Sequence, residues 1–337
     1  MTPDVLALLL IVIGLTVYTL FAGADFGAGI WQVNTALSAT KKERTLLYGA
    51  IGPVWEANHV WLIFVVVMLF GAFPSAFAAI CQALWLPLVL AVAGIVFRGA
   101  GFAFRSYSVG AEREQLGWEI VFAIGSTAAP FFLGMAIGAL ASGRLVVTEA
   151  GEFDGNYATG WVSPLALFMG FFTVGMCAFL TAVFLVREAH QQGDPQLTDL
   201  WRSRALATGI WMGILTGVGL LYVSTDAPLL WDGFQRRSGA LVAGSVVAGL
   251  ATIVALISRW YRAAVFGACA AVTAVIWGWA LAQYPWLVPP SITIEEAKAP
   301  DRVLWFLIAT AACGAVLLVP ALGYLMWLFK VGRRQGQ

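Results

Sequence analysis

Long stretches without charged residues dominate this sequence and limit what it can fold into. The longest runs from Ala57 to Phe97, 41 residues in which His59 is the only ionisable side chain apart from a cysteine. A helix needs about 20 apolar residues to cross roughly 30 Å of hydrocarbon. This stretch is therefore long enough for two spans, and Gly71-Ala72-Phe73-Pro74 supplies the break between them.

The overall composition also indicates a membrane protein. Of the 337 residues, 61% are hydrophobic and 11% are charged, whereas a soluble domain has roughly 45–50% apolar and about 25% charged residues. The mean hydropathy is +0.85. The net charge of +1 gives no support for a nucleic-acid partner, because no basic surface is available to neutralise phosphates.

Counting the apolar runs in this way predicts an all-α polytopic membrane protein with about nine transmembrane helices. No loop is long enough to form a separate soluble domain, so residues 1–337 are expected to form a single membrane domain. The predicted spans are residues 5–30, 48–70, 75–97, 118–143, 158–186, 204–225, 238–258, 261–284 and 303–329.

The positions of Lys and Arg predict an N-terminus outside the membrane and a C-terminus in the cytoplasm. In this orientation the cytoplasmic loops and the C-terminal tail hold 14 of the 19 basic residues. The remaining five lie in outer loops: Arg144, Arg236, Arg237, Lys298 and Arg302.

Asp25 is the first of three polar positions that an apolar span does not explain. It lies within Gly23-Ala24-Asp25-Phe26-Gly27-Ala28-Gly29, about 30 Å from the outer end of the first helix at 1.5 Å per residue. An ionisable group inside hydrocarbon is energetically costly, and it is therefore a functional hypothesis by default. The alternative is an aspartate at the headgroups that only pairs with a cation.

Glu56 and Arg98 are the other two positions. Glu56 precedes His59 by three residues, so both share a helix face, and Glu56 would lie about 15 Å deep from the cytoplasmic side. At that depth it must pair, be protonated or line a wet cavity, unless it makes only a structural hydrogen bond. Arg98, at the end of the third span, either extends to the interface or pairs with Asp25 or Glu56.

The histidines and cysteines give little support for a cofactor bound by this chain. The two histidines, His59 and His190, cannot form an intramembrane bis-histidine haem site, although haem ligation by His59 alone stays open. The four cysteines show no CxxC spacing, so we predict no metal ligands. No nucleotide-binding or Ser/His/Asp motif occurs either, so we predict no catalytic residue and no complete active site in this chain alone.

Five segments in order resemble subunit II of cytochrome bd-type quinol oxidases, including the cyanide-insensitive branch. They are GADFGAG (23–29), GPVWEANHVWL (52–62), the Phe73-Pro74 break, FRGAGFAFR (97–105), and the region from Gln283-Tyr284-Pro285 through Ser291-Ile292-Thr293 to a last helix ending near Tyr324. The resemblance extends from the first span to the last. It implies two four-helix bundles plus one peripheral helix.

The resemblance also implies a heterodimeric terminal oxidase in a bacterial inner membrane that oxidises membrane quinol and reduces dioxygen to water. Subunit I would carry two b haems and haem d. This chain would ligate no haem, would stabilise subunit I and would contribute proton and dioxygen access. Quinone binding by this chain and a small single-helix subunit as a further partner stay open.

The site residues follow from the same resemblance. Asp25 and Glu56 match family acids implicated in a proton path from the cytoplasm. From its position in the sequence, Arg98 would hold Asp25 or Glu56 ionised, and Asn58 and His59 are further candidates for the path.

Trp61 matches a tryptophan beside a hydrophobic dioxygen route. The chain departs from the family pattern at three positions. Glu56 is often Asp in the family, His59 is often Glu or Gln, and Ala103 stands where an acid is often found.

Two other functions compete with the proton-access hypothesis. One is a secondary transporter that uses Asp25, Glu56 and Arg98 as a coupling site. Such a protein would be expected to show inverted repeats with broken helices in both halves, whereas broken or polar helices occur here only in the first third. The other is a purely structural subunit whose acids form inert pairs.

Overall fold

Helices form most of the computed structural model, which describes residues 2–38, 41–107, 112–148 and 151–335. Side chains at 33–38, 41, 48–57, 106, 112, 113, 319 and 325–335 lie outside this description. The elements are α1 (Pro3–Ser38), α2 (Lys41–Ala72), α3 (Pro74–Ala83), α4 (Trp85–Tyr107), α5 (Glu112–Ala141), α6 (Pro164–Gln191), α7 (Pro195–Asp226), α8 (Pro228–Gly233), a π-helical turn (Phe234–Ser238), α9 (Gly239–Ile257), α10 (Tyr261–Gln283), β1 (Trp286–Val288), β2 (Ile292–Thr293), α11 (Ile294–Ala297) and α12 (Asp301–Gln335).

The prediction of an all-α membrane protein with about nine spans is confirmed. The described residues contain eight helices that are long and apolar enough to cross a membrane. The count becomes nine if α2 and α3, which meet at an angle of 118°, form one broken span.

The structure places the third span differently from the sequence-based expectation of residues 75–97. Pro74 occupies the first turn of α3, where its missing N–H costs no helical hydrogen bond. Helix α3 ends at Ala83, and a separate helix, α4, crosses from Trp85 to Tyr107. The proline thus ends α2 as expected, but the residues after it form a short bent helix before the next span begins.

Prolines and polar caps also set where other helices begin. Ser163 Oγ accepts the Ala166 N–H at 3.0 Å, so α6 begins at Pro164 and not at residue 158. Asp194 Oδ1 likewise accepts the Leu197 N–H at 3.1 Å at the start of α7. Pro228 begins α8, so the span expected at 238–258 starts ten residues earlier and includes the π-helical turn.

The helices form two bundles and one peripheral helix. Helices α1, α2, α4 and α5 make the first bundle, and α6, α7, α9 and α10 make the second. Contacts of α6 with α1 and α5 join the two bundles. Helix α12 packs on α1 and α2 and is otherwise largely exposed.

A small cap covers the end of the molecule opposite the α1–α2 connection. It combines α3, the segments 142–148 and 151–163, the antiparallel β1–β2 hairpin and α11. Their side chains share one apolar cluster, which includes Phe73, Leu145, Trp161, Val288 and Ile294. The cap therefore packs several connecting segments onto the ends of the spans.

Candidate functional site

A buried ion pair between Asp25 and Arg98 lies at the centre of the first bundle. Their side chains are 0% and 1% exposed. One terminal Arg98 nitrogen donates to Asp25 Oδ1 and lies 3.5 Å from the Asp25 backbone carbonyl. Asn58 Nδ2 donates to Asp25 Oδ2 at 3.3 Å. Helix α1 thus supplies the carboxylate, and α2 and α4 each contribute one polar side chain to it.

The position of Asp25 depends on a close approach between α1 and α6. A Cβ atom on Gly27 would lie 2.1 Å from the Cys177 carbonyl oxygen, so only glycine fits there. The hydroxyl of Thr181 donates to the carbonyl of Gly23 at 2.7 Å and lies 3.1 Å from that of Ala24. The second bundle therefore fixes the turn of α1 that presents Asp25.

Two aromatic rings hold the guanidinium of Arg98. Its central carbon lies 5.2 Å from the ring centroid of Phe26 and 5.1 Å from that of Phe122, within the range of a cation–π interaction. Helix α5 comes close enough to supply Phe122 because Gly125 faces α4, where a Cβ would lie 2.7 Å from the Arg98 backbone nitrogen. The rings also separate this cation from solvent.

Several polar atoms around the pair lack a hydrogen-bond partner within the described part of the chain. They are Tyr18 Oη, Asn58 Oδ1, Trp61 Nε1, Arg98 Nε and Ser126 Oγ. Buried polar groups in proteins nearly always have a partner, which is often an ordered water molecule. The arrangement is thus suited to hold water beside the Asp25 carboxyl group.

The structure brings together most of the predicted proton-path residues. Asp25, Arg98 and Asn58 are in direct contact, and His59 follows Asn58 on α2. Asp25 is not at a helix end, because α1 continues to Ser38. The side chain of Glu56 lies outside the described residues, so its part in the site stays a prediction.

Sequence reasoning missed Tyr18, Phe26, Phe122 and Ser126. Tyr18 precedes Asp25 by seven residues, two helical turns, so this spacing could have indicated a shared face. Phe122 and Ser126 carry no such signal, because aromatic and hydroxyl residues are common in apolar spans and only helix packing selects them.

Trp61 packs beside this site. It contacts the apolar cluster that contains Tyr18, Phe26 and Cys177, and its ring meets that of Phe64 edge-on at 6.0 Å. The same cluster borders a cavity of about 100 Å³ between α1, α5, α6 and α10. Its lining is almost entirely aliphatic and aromatic.

A second polar cluster joins the two bundles near the α1–α2 connection. Glu43 pairs with Arg204, whose guanidinium carbon lies 5.2 Å from the ring centroid of Trp31 and 4.6 Å from that of Trp201. The indole N–H of Trp31 donates to the Ala178 carbonyl at 2.9 Å. This cluster anchors the beginning of α2 against α7.

Beside it, Lys42 Nζ lies 3.2 Å from Asp194 Oδ2. The Leu197 N–H and the Lys42 ammonium both stabilise the ionised form, so they hold the pKa of Asp194 below its ordinary value. This pair adds a second, exposed connection between α2 and α7.

No group of three or more His, Cys, Asp or Glu side chains that could hold a metal ion occurs among the residues with a described placement. His190 lies against Tyr261 in the second bundle, with ring centroids 5.0 Å apart. The cysteines are free thiols.

Comparisons of the sequence and of the fold with known proteins point to one family. The sequence model of the family described as "Cytochrome bd terminal oxidase subunit II" matches residues 3–329. The chain is 32% identical over 170 residues to "Cytochrome bd-I ubiquinol oxidase subunit 2" of Escherichia coli (strain K12), an alignment that covers 49% of this chain and 44% of that protein. It is 28% identical over 215 residues to "Cytochrome bd ubiquinol oxidase subunit 2" of Bacillus subtilis (strain 168), covering 64% and 60%.

These alignments span about half the length of the curated relatives. The fold is similar over nearly the whole chain to one in "The structure of bd oxidase from Geobacillus thermodenitrificans". The TM-score is 0.81 at 23% identity, with 98% of this chain and 99% of that chain covered.

Proposed function

The chain belongs to the cytochrome bd terminal oxidase subunit II family, and we propose that it is the non-haem-ligating subunit of a heterodimeric quinol oxidase. The complex oxidises membrane quinol and reduces dioxygen to water. Its subunit I partner carries two b haems and haem d, and this chain stabilises that partner. The family assignment does not favour the alternative of a secondary transporter.

The observation that carries the proposed role of this chain is the buried cluster of Asp25, Arg98 and Asn58. Protons cross hydrocarbon only where ionisable groups or water are present. Arg98 keeps its charge at all physiological pH values, so it stabilises an Asp25 carboxylate that takes up and releases protons. Glu56 and His59, on the adjacent segment of α2, are further candidates for this path.

The direction of proton movement follows from the proposed topology in the bacterial inner membrane. With the N-terminus outside, the end of α1 after Asp25 faces the cytoplasm, and Asp25 lies 13 residues, about 20 Å along the axis, from that end. Reduction of dioxygen to water consumes protons. A path from this side would deliver them through subunit II to the haems of its partner.

Trp61 is proposed to border the route of dioxygen. Dioxygen is apolar and partitions into hydrocarbon, so it needs no polar lining. Trp61 packs on the cluster with Tyr18 and Phe26 that also borders the cavity of about 100 Å³. This apolar region lies beside the polar cluster of Asp25, Arg98 and Asn58. The arrangement supports separate routes for dioxygen and for protons.

The test is Asp25→Asn in the purified two-subunit complex, with the exposed Asp199→Asn as the matched control. Optical spectra establish haem content, and quinol-dependent oxygen uptake is expressed per haem. In the complex that assembles, we expect a normal haem spectrum and at least about a tenfold lower turnover per haem for Asp25→Asn, equal to about 1.4 kcal/mol in the barrier. Normal turnover with normal spectra would remove Asp25 from the proton path and leave a structural role.

A further inference from the structure

Another ion pair with a buried carboxylate lies within the first bundle, between α4 and α5 and closer to the end of the bundle. Arg105 Nε donates to Glu119 Oε1 at 2.8 Å. The Glu119 side chain is 6% exposed and that of Arg105 is 27% exposed. Two residues after Arg105, Tyr107 at the end of α4 is largely exposed. The acidic side of the pair is therefore buried, and its basic side is partly exposed near the end of α4.

The Arg105–Glu119 pair lies on the same face of α4 as the central Asp25–Arg98 pair. Arg98 and Arg105 are seven residues apart on α4, which places them on one face about 10.5 Å apart along the axis. On the antiparallel α5, Glu119 and Ser126 have the same separation. Helices α4 and α5 together thus carry two polar levels, one near the helix ends and one at the depth of Asp25.

Aromatic side chains separate the two levels. Phe102 and Phe122 have ring centroids 6.1 Å apart, and Phe122 also packs against the guanidinium of Arg98. Phe122 is 1% exposed. The rings therefore form an apolar layer between the carboxylate of Glu119 and that of Asp25.

An ion pair with a buried carboxylate is not by itself a strong source of stability. Desolvating a carboxylate and a guanidinium costs several kcal/mol, and their attraction often only offsets this cost. Apolar side chains would fill the same space between α4 and α5 at no such cost. A buried acid with a partly exposed partner instead gives a protonatable group within reach of solvent.

We propose that Glu119 relays protons from the surface to Asp25, across the Phe102–Phe122 layer. The proposal rests on the proposed proton-path role of Asp25. A hydronium ion at the surface gives a proton to the Glu119 carboxylate, so one O–H bond of the hydronium ion breaks and an O–H bond forms on Glu119. That bond then breaks as the proton passes, through water admitted by movement of the rings, to the Asp25 carboxylate, and the Glu119 carboxylate is regenerated. Arg105 and Arg98 stay cationic throughout, so each transfer carries one positive charge inward.

The experiment compares Glu119→Gln with Glu114→Gln, an exposed glutamate on the same helix, in the intact two-subunit complex. Turnover per haem is expected to fall at least about tenfold for Glu119→Gln, and to be unchanged for Glu114→Gln. Sodium formate, a small weak acid that carries protons past a missing carboxyl, should restore turnover towards that of the unsubstituted complex in the same formate. A merely structural role of Glu119 would not give this rescue.

Asp25→Asn measured in parallel separates the two proposals. Full turnover of Glu119→Gln with impaired Asp25→Asn overturns the relay alone, whereas full turnover of both overturns the proton path as well. A loss in Glu119→Gln that formate does not restore also overturns the relay. If Glu119→Gln does not assemble, Glu119→Asp replaces it: slow turnover restored by formate supports the relay, and full turnover without formate contradicts it.

Discussion

The hydroxyl of Thr181 donates a hydrogen bond to the backbone carbonyl of Gly23 at 2.7 Å. This bond joins α6 of the second bundle to the turn of α1 immediately before Asp25. Because the Asp25 carboxylate also contacts Arg98 and Asn58, the second bundle helps to position the polar site of the first. The two bundles are therefore expected to be coupled in stability and in activity.

The first prediction concerns this bond. Thr181→Val keeps the shape of the side chain but removes this hydrogen bond between α6 and α1, whose net contribution to stability is about 0.5–1.5 kcal/mol. We expect a lower Tm of the purified complex and a lower turnover per haem. Thr216→Val, which removes only a local bond to the Met212 carbonyl within α7, should change neither. Equal effects of the two substitutions would contradict the coupling.

The second prediction concerns the close approach of α1 and α6. Gly27→Ala places a methyl group 2.1 Å from the Cys177 carbonyl oxygen, so the helices must separate, at a cost of about 1–3 kcal/mol or more. We expect less assembled, haem-containing complex in the membrane. Gly213→Ala, where a Cβ meets no atom within 4 Å, is the control. Normal assembly of Gly27→Ala would mean that the contact between α1 and α6 is looser than described.

The third prediction concerns the buried ion pair. Arg98→Gln leaves the fully buried Asp25 without its cation, and breaking such a pair costs about 3–5 kcal/mol. The double variant Asp25→Asn/Arg98→Gln should be less destabilised than the sum of the single variants, because no unpaired charge remains. Thermal unfolding of the three variants measures this coupling.

An exposed pair provides the comparison for this cycle. Arg236 and Asp232 form an ion pair with side chains 76% and 49% exposed. Arg236→Gln should change stability by only about 0–1 kcal/mol. Additive effects at Asp25 and Arg98 would show that the central pair contributes no coupling energy.

The fourth prediction is a pH dependence at Asp194. The Leu197 N–H and Lys42 hold the pKa of this carboxyl below its ordinary value of 3.8. Its stabilising contribution is therefore fully present above about pH 4 and is lost as the pH falls through the lowered folded-state pKa. Asp194→Asn should lower the Tm at neutral pH, and the difference from the unsubstituted complex should shrink in acid. Asp199→Asn, at an exposed pair with Arg259, is the control, and a pH-independent difference would contradict this assignment.

The sequence allowed some of the site to be predicted and left other parts undetermined. Asp25 and Arg98 can be identified from the sequence because charged residues in apolar spans are costly, and a pair between them is one of the arrangements that the sequence allows. Phe122 and Ser126 carried no comparable signal. Their place at the site depends on the close packing of α4 and α5 at Gly125, which a single sequence does not reveal.

Pro74 shows the same limit for the fold. The proline predicted a break in the apolar run, and α2 does end at Ala72. A proline ends the helix before it, but it does not determine whether the next span begins at once or only after a short bent helix. The packing of α3 into the end cap, through Phe73 and its neighbours in that apolar cluster, decides this.

The sequence by itself determined the membrane class, the all-α architecture and the family. The physical reason is that an apolar run in lipid must satisfy its backbone hydrogen bonds internally, which leaves helices of predictable length. Only the tertiary structure decided which polar groups meet. Asp25 contacts Arg98, 73 residues away, and Asn58, 33 residues away, because the rotation and crossing of the helices depend on close packing between them.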